Sequence, residues 1–156
     1  MIYYVAGLLF SEDRRRVALI RKDHGPANVA GRWNAIGGKR GIDAWGPAGT
    51  RHPDWPNGME LAHAAMVREF QEEAGVTIHH WRRFLTLVKP GEWEVVFFSA
   101  FDDSALDCVH TAEREVVDVF TLPYLLGPVS GVPIVANLRW IIPMALDGGT
   151  YDVTEA

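Results

Sequence analysis

The sequence predicts an α+β domain in which a mixed β-sheet is covered by helices, and three observations predict it. Apolar, β-favouring runs are interleaved with helical patterns along the chain, the arrangement of a sheet with helices packed on it. Some of these runs are joined by only three or four polar residues, "SEDR" and "PGE", which makes them hairpins, so the sheet is not purely parallel. Finally, 156 residues with 48% hydrophobic composition supply one substantial core and are short for two,. The reading is one domain over residues 1–156.

Taken in order, "YYVAGLLF" and "RRVALIRK" read as two strands around the tight connection "SEDR", and "RWNAIGG" as a short strand after a Gly/Pro-containing loop,. From Lys39 to Gly58 the sequence "KRGIDAWGPAGTRHPDWPNG" is dense in Gly and Pro and keeps neither a 2- nor a 3.6-residue period,. A loop of this length, about 40–57, is functional or mobile as a rule. It is either a lid over a site or a surface insertion, and an insertion there could also mediate a homodimer. A helix follows from Gly58 to Ala74, with Asn57 as its cap, Glu60 as capping-box partner and Gly75 as its left-handed stop,. "FLTLVK", "PGE" and "WEVVFFSAF" form a hairpin, and "EVVDVFTL" is a further strand,. A last helix in "NLRWIIPMAL" is expected to be kinked or shortened by Pro143,.

Charge and composition exclude several functions. No run of about 18 uncharged apolar residues occurs, and "MIYYVAGLLFSEDRRR" has no cationic segment ahead of its apolar stretch, so neither a membrane span nor a secretory signal is expected. The expectation is a soluble cytoplasmic protein with no membrane partner. A single cysteine, Cys108, excludes an internal disulfide and a Cys-based zinc cluster,. The net charge of −5 argues against an extended nucleic-acid surface,.

The stretch "REFQEEAGV", residues 68–76, crowds three glutamates into about one and a half helical turns. Successive residues about 100° apart place Met59, Ala62, Met66, Phe70 and Ala74 on one apolar stripe,. Glu69, Glu72 and Glu73, spaced i, i+3, i+4, overlap the edge of that stripe and do not point away from the core,. Lys is absent from the helix, and Arg68 is the only nearby cation. Two readings follow from the charges: an acidic helix end paired with Arg68 and solvent, or a set of hard oxygen ligands for Mg²⁺ or Mn²⁺.

Glu60, seven residues, then "REFQEEAGV" resembles the second part of the Nudix box: Glu, seven residues, Arg-Glu, an aliphatic or aromatic residue, any residue, Glu-Glu, any residue, Gly, aliphatic. Every specified position from Glu60 to Val76 matches. The box's first glycine does not stand at the strict spacing, where position 54 is Asp. Its counterpart is Gly38 in "GRWNAIGGK", with 21 residues between it and Glu60 where the pattern has five, so the loop is an insertion of 16 residues inside the box. The resemblance covers nearly the whole chain in its order of elements and implies an α/β/α sandwich.

It also implies an activity: Mg²⁺- or Mn²⁺-dependent hydrolysis of a nucleoside diphosphate linked to another moiety. Glu69, Glu72 and Glu73 would be metal ligands, joined by the carbonyl of Gly37 or Gly38 and by a later carboxylate, for which Glu113 is preferred over Glu115. A carboxylate of this set would take the proton of the attacking water. Arg68 would pair with Glu60 and hold the motif in shape. "GRWNAIGGK" is similar to the segment before the box in MutT-type (deoxy)nucleoside triphosphate pyrophosphohydrolases, which makes Asn34 a base-binding candidate and Lys39 a phosphate candidate. Trp33 is either part of the substrate site or a core aromatic. Trp45 and Trp55, on the inserted loop, either stack on a base or anchor the loop to the body.

Overall fold

The computed structural model of the chain describes residues 1–43, 51–128 and 131–156. Eight strands among them form one sheet: β1 (Ile2–Phe10), β2 (Arg16–Arg21), β3 (Trp33–Asn34), β4 (Ile36–Lys39), β5 (Arg82–Lys89), β6 (Trp93–Phe101), β7 (Val117–Thr121) and β8 (Tyr151–Thr154). The hydrogen-bonded path is β3-β2-β1-β6-β5-β8, with β4 also on β1 and β7 on β2. β1 runs parallel to β6 from Ile2↔Trp93 to Phe10↔Phe101, and β5 parallel to β8, while the other pairings are antiparallel. The sheet is therefore mixed, and the hairpin expected at 84–101 is β5–β6.

Both faces of this sheet are buried, which explains why its strands read as nearly continuous apolar runs. Successive side chains of a strand point to opposite faces. Leu8 and Phe10 of β1, Val17 and Leu19 of β2 and Phe97 of β6 meet Leu138, Ile141 and Ile142 of α4 (Leu138–Asp147) and Leu125 of α3 (Leu122–Leu126). Their neighbours Val5 and Leu9, Ala18 and Ile20, and Val96 and Phe98 meet Ala65, Met66, Phe70 and Ala74 of α1 (Ala62–Ala74) and Leu106 of α2 (Asp103–Cys108). Two separate cores, one on each face, make the expected helix–sheet–helix sandwich.

Four local expectations need correction. "RWNAIGG" is not one strand: Asn34 of β3 pairs with Ile20, whereas Ile36 of β4 pairs with Gly7, so the chain changes partner at Ala35. The box helix begins at Ala62 rather than Gly58: Glu60 is held outside it, its N–H donating to the Gly41 carbonyl at 2.8 Å across the mouth of the 40–57 loop. Asn57 lies in a 3₁₀ turn at φ 57° and caps nothing; Leu61 holds the N-cap position without a side-chain bond. The C-terminal stop is where the sequence places it, Gly75 at φ 75° with its N–H on the Gln71 carbonyl. Pro143 sits within α4 without shortening it, since Leu138, Ile141, Ile142 and Ala145 are buried on both sides of the missing N–H,. Among the described residues no helix is long and apolar enough to cross a membrane.

Candidate active site

The antiparallel pairing of β4 with β1 brings Gly38 opposite Val5 and under α1. A Cβ at Gly38 would lie 2.4 Å from Glu69 Oε2 and 2.7 Å from its carboxyl carbon, so the Glu69 carboxylate rests on this strand only because residue 38 has no side chain,. Glu69 is buried at 9% exposure. Burial pushes its pKa up, against the lowering effect of Arg68.

Arg68 is the hub of this end of the helix. Its Nε donates to Glu60 Oε2 at 3.0 Å and its Nη2 to Glu60 Oε1 at 2.8 Å, a two-pronged pair,. Its Nη1 donates to Glu69 Oε1 at 2.8 Å and Glu72 Oε2 at 3.2 Å, and Nη2 also reaches the Lys39 carbonyl at 3.1 Å. Glu60, 6% exposed, also accepts from the Gly41 N–H at 2.9 Å. Burial alone would raise the Glu60 pKa; the Arg68 and Gly41 hydrogen bonds outweigh it and hold the carboxyl below its ordinary value. The same contacts raise the pKa of the Arg68 guanidinium, with the Glu60 hydrogen bonds as the largest cause.

Glu73 is in a different electrostatic setting. Burial pushes its pKa up to about 7, and Glu115, Glu113 and Glu69 push in the same direction while Lys22 opposes them. Lys22 is itself committed: its Nζ bonds Glu115 Oε1 at 3.2 Å, and the second Glu115 oxygen accepts from the Asp23 N–H at 2.7 Å.

Arg68 stands between Glu69 and Glu72, and among the described residues no group of three or more His, Cys, Asp or Glu side chains is close enough together to hold a metal ion. Glu113 is exposed on its loop and reaches Glu73 only through space; the carboxylate of that loop on the cleft wall is Glu115.

A cleft of about 560 Å³ opens beside Gly37 and Gly38. Its polar wall carries Lys22, His24, Asn28, Asn34, Glu115 and Asn137, and its apolar wall includes Trp93, Val95, Phe97, Leu87 and Val135. Asn34 Oδ1 accepts from the Ala35 N–H at 2.8 Å, which leaves its amino group as the donor. Trp33 and Lys39 do not line the cleft. Trp33 packs edge-on against Phe120 at 4.7 Å with the Arg21 guanidinium over its ring, and is a sheet aromatic; the cation on the cleft wall is Lys22, at the end of β2. Trp55 lies against Gly41 and stacks on His52 at 4.4 Å, which anchors the second half of the 40–57 loop; Trp45 lies outside the described residues. Sequence reasoning missed Lys22, His24 and Asn137. Asn137 alone carried a local signal, an Asn directly before an apolar helix,.

No family model matches the sequence, and no curated protein is significantly similar to it. Solved structures are. A MutT structure from a study of Aliivibrio salmonicida and Vibrio cholerae aligns over 94% of this chain and 98% of its own, at 24% identity and a TM-score of 0.61. The NUDIX domain of Shewanella oneidensis NrtR, complexed with ADP ribose, aligns over 94% and 87% at 17% identity and a TM-score of 0.68. MutT from Bacillus halodurans aligns over 99% and 88% at 20% identity and a TM-score of 0.63. The chain has the Nudix fold. On that fold, the helix carrying the matched half of the box is α1, and the cleft lies beside the Gly38 end of β4.

Proposed function

We propose that this Nudix-fold protein is a Mg²⁺- or Mn²⁺-dependent pyrophosphohydrolase that cleaves a nucleoside diphosphate linked to another moiety. The preferred substrate class is a (d)NTP, with the monophosphate and pyrophosphate as products. The observation that carries the reading is the Glu69 carboxylate seated on Gly38 at the edge of a nucleotide-sized cleft, in a box whose Arg68 and Glu60 are fully paired.

The donor set suits a hard divalent cation: carboxylate oxygens of Glu69, Glu72 and Glu73 with a backbone carbonyl at Gly38. The cradle at Gly38 and the excess negative charge around Glu73 both fit it. A bound Mg²⁺ or Mn²⁺ would neutralise the diphosphate and lower the pKa of the attacking water. Arg68 can give up Glu69 and Glu72 while keeping Glu60, because Nη1 serves the first two and Nε and Nη2 serve the third. The water oxygen bonds to phosphorus, the bridging P–O bond breaks, and pyrophosphate leaves with the electron pair. The water's proton passes to a carboxylate of α1 within hydrogen-bond reach of it. Asn34 supplies an amide to the base edge, and the aromatic wall at Trp93 a surface for the base plane,.

A panel of nucleotides with Mg²⁺, read by phosphate and pyrophosphate release, tests the reading; a nucleotide sugar, dinucleoside polyphosphate or capped RNA as the best substrate would move the leaving group and keep the chemistry. Glu72→Gln and Glu73→Gln are expected to lower kcat by about 10²–10⁴-fold with the fold intact. Wild-type turnover in both would remove the assignment. A second reading, a module that holds a nucleotide without cleaving it, is favoured by the ungathered glutamates, with Arg68 between Glu69 and Glu72,. Nucleotide binding by calorimetry with no turnover across the panel would establish it instead.

A further inference from the structure

In this chain the glycine end and the glutamate end of the box are separated by the inserted loop, so something must hold them in register. We infer that Arg40, which lies outside the box pattern, is the positioning residue that does so. Its Nε and Nη2 both donate to the backbone carbonyl of Glu60, at 3.0 and 2.8 Å. That carbonyl precedes the helix N-cap, Leu61, and the first helical bond goes to Leu61 instead, from the Ala65 N–H. The next residue, Gly41, exchanges two hydrogen bonds with Glu60: its N–H donates to Oε1 at 2.9 Å and its carbonyl accepts from the Glu60 N–H at 2.8 Å. Glu60 is thus fixed at its N–H, its carbonyl and its carboxylate by two consecutive residues that directly continue β4. From Glu60 the constraint runs through Arg68 to Glu69 and Glu72.

Arg40 is held for this purpose. Its side chain is 13% exposed, its Nη1 lies 3.8 Å from Glu94 Oε1 on β6, and its guanidinium lies over the Tyr3 ring of β1 at 6.0 Å. It braces the mouth of the insertion against the central pair of strands, β1 and β6. The role of Glu69 and Glu72 as ligands rests on the functional reading above; the clasp itself does not.

The test uses the full chain. Arg40→Gln is expected to weaken Mn²⁺ uptake, read by electron paramagnetic resonance, and to lower kcat, each by about 10-fold, with KM for the nucleotide unchanged. Arg40→Lys, which keeps one charged donor, recovers part of both. In metal-free protein, amide exchange at Gly41 and Glu60 accelerates in Arg40→Gln. Mn²⁺ affinity and exchange within twofold of wild type in Arg40→Gln, or an Arg40→Lys variant no better than Arg40→Gln, would overturn the inference. If wild-type protein takes up no Mn²⁺, the functional reading fails, and the exchange experiment still decides the clasp. Should Arg40→Gln melt below the assay temperature, the same comparison is made between Arg40→Lys and wild type.

Discussion

Glu60 and Glu73 lie on the same motif, and both lose solvent, yet their carboxyls are driven in opposite directions. Glu60 is held below its ordinary pKa and Glu73 is pushed up to about 7. The difference is the cation in contact. Glu60 has the Arg68 fork at 2.8 and 3.0 Å and the Gly41 N–H at 2.9 Å. Lys22, a cation that acts on Glu73 through space, spends its ammonium on Glu115. Burial raises the cost of a negative charge on both flanks; a charge-assisted hydrogen bond cancels it on one only. The compensated flank maintains the shape of the site, and the uncompensated flank is where added positive charge would be most favourable.

Arg68→Met attacks this contrast most strongly, because it strips the cation from Glu60 and Glu69 at once and removes it from Glu72 as well. Breaking a buried pair costs about 3–5 kcal/mol, and with 37% of the Arg68 side chain exposed we expect about 2–3 kcal/mol in urea unfolding at pH 7,. A loss under 0.5 kcal/mol would mean the two flanks are not different in kind. Gly38→Ala is next. The added Cβ would meet the Glu69 carboxylate at 2.4 Å, and relief requires Glu69 to leave its seat. We expect about 1–3 kcal/mol of destabilisation and weakened Mn²⁺ uptake; unchanged stability and uptake would show that Glu69 is not held there.

The sequence made one flank more legible than the other. Burial of Met66, Phe70 and Ala74 and the stop at Gly75 follow from the 3.6-residue period and one glycine, and the structure has them. The strands on both sheet faces were visible because their runs are apolar and bounded by turn residues,. Glu60 is instructive: the capping-box spacing and the partner of Arg68 are both consistent with its position, and only the long-range partner Gly41, 19 residues earlier, decides between them. Lys22, Glu115 and Asn137 come from three distant parts of the chain to one cleft, and no local period announces such a meeting. The partner change at Ala35 was hidden for the same reason, since side-chain alternation does not name the neighbouring strand. β8, four residues long with two of them exposed, lacked enough apolar pattern to be seen.

The smallest effect is also the most specific to the contrast, because it depends on sign. Glu73 has a folded pKa of about 7 against an ordinary 4.5, so between those values the folded chain binds a proton that the unfolded chain has lost. Its contribution to stability is therefore fully present below about pH 4.5 and is lost as pH rises through 7,. Glu60 is depressed, so its contribution is present above 4.5 and is lost as pH falls through its lowered folded value,. Glutamine mimics the protonated form of each. In chelator, Glu73→Gln should melt at the wild-type temperature at pH 5 and a few degrees above it at pH 8, where about 1 kcal/mol moves Tm by about 2–4 °C in a chain of this size. Glu60→Gln should melt below wild type at pH 8. Added Mg²⁺ should shrink the Glu73→Gln advantage by raising the wild-type Tm, since a cation bound to the native state stabilises it. Scanning calorimetry of both variants at the two pH values checks this, and shifts of the same sign at pH 8 would show that contact with a cation does not separate the two carboxylates.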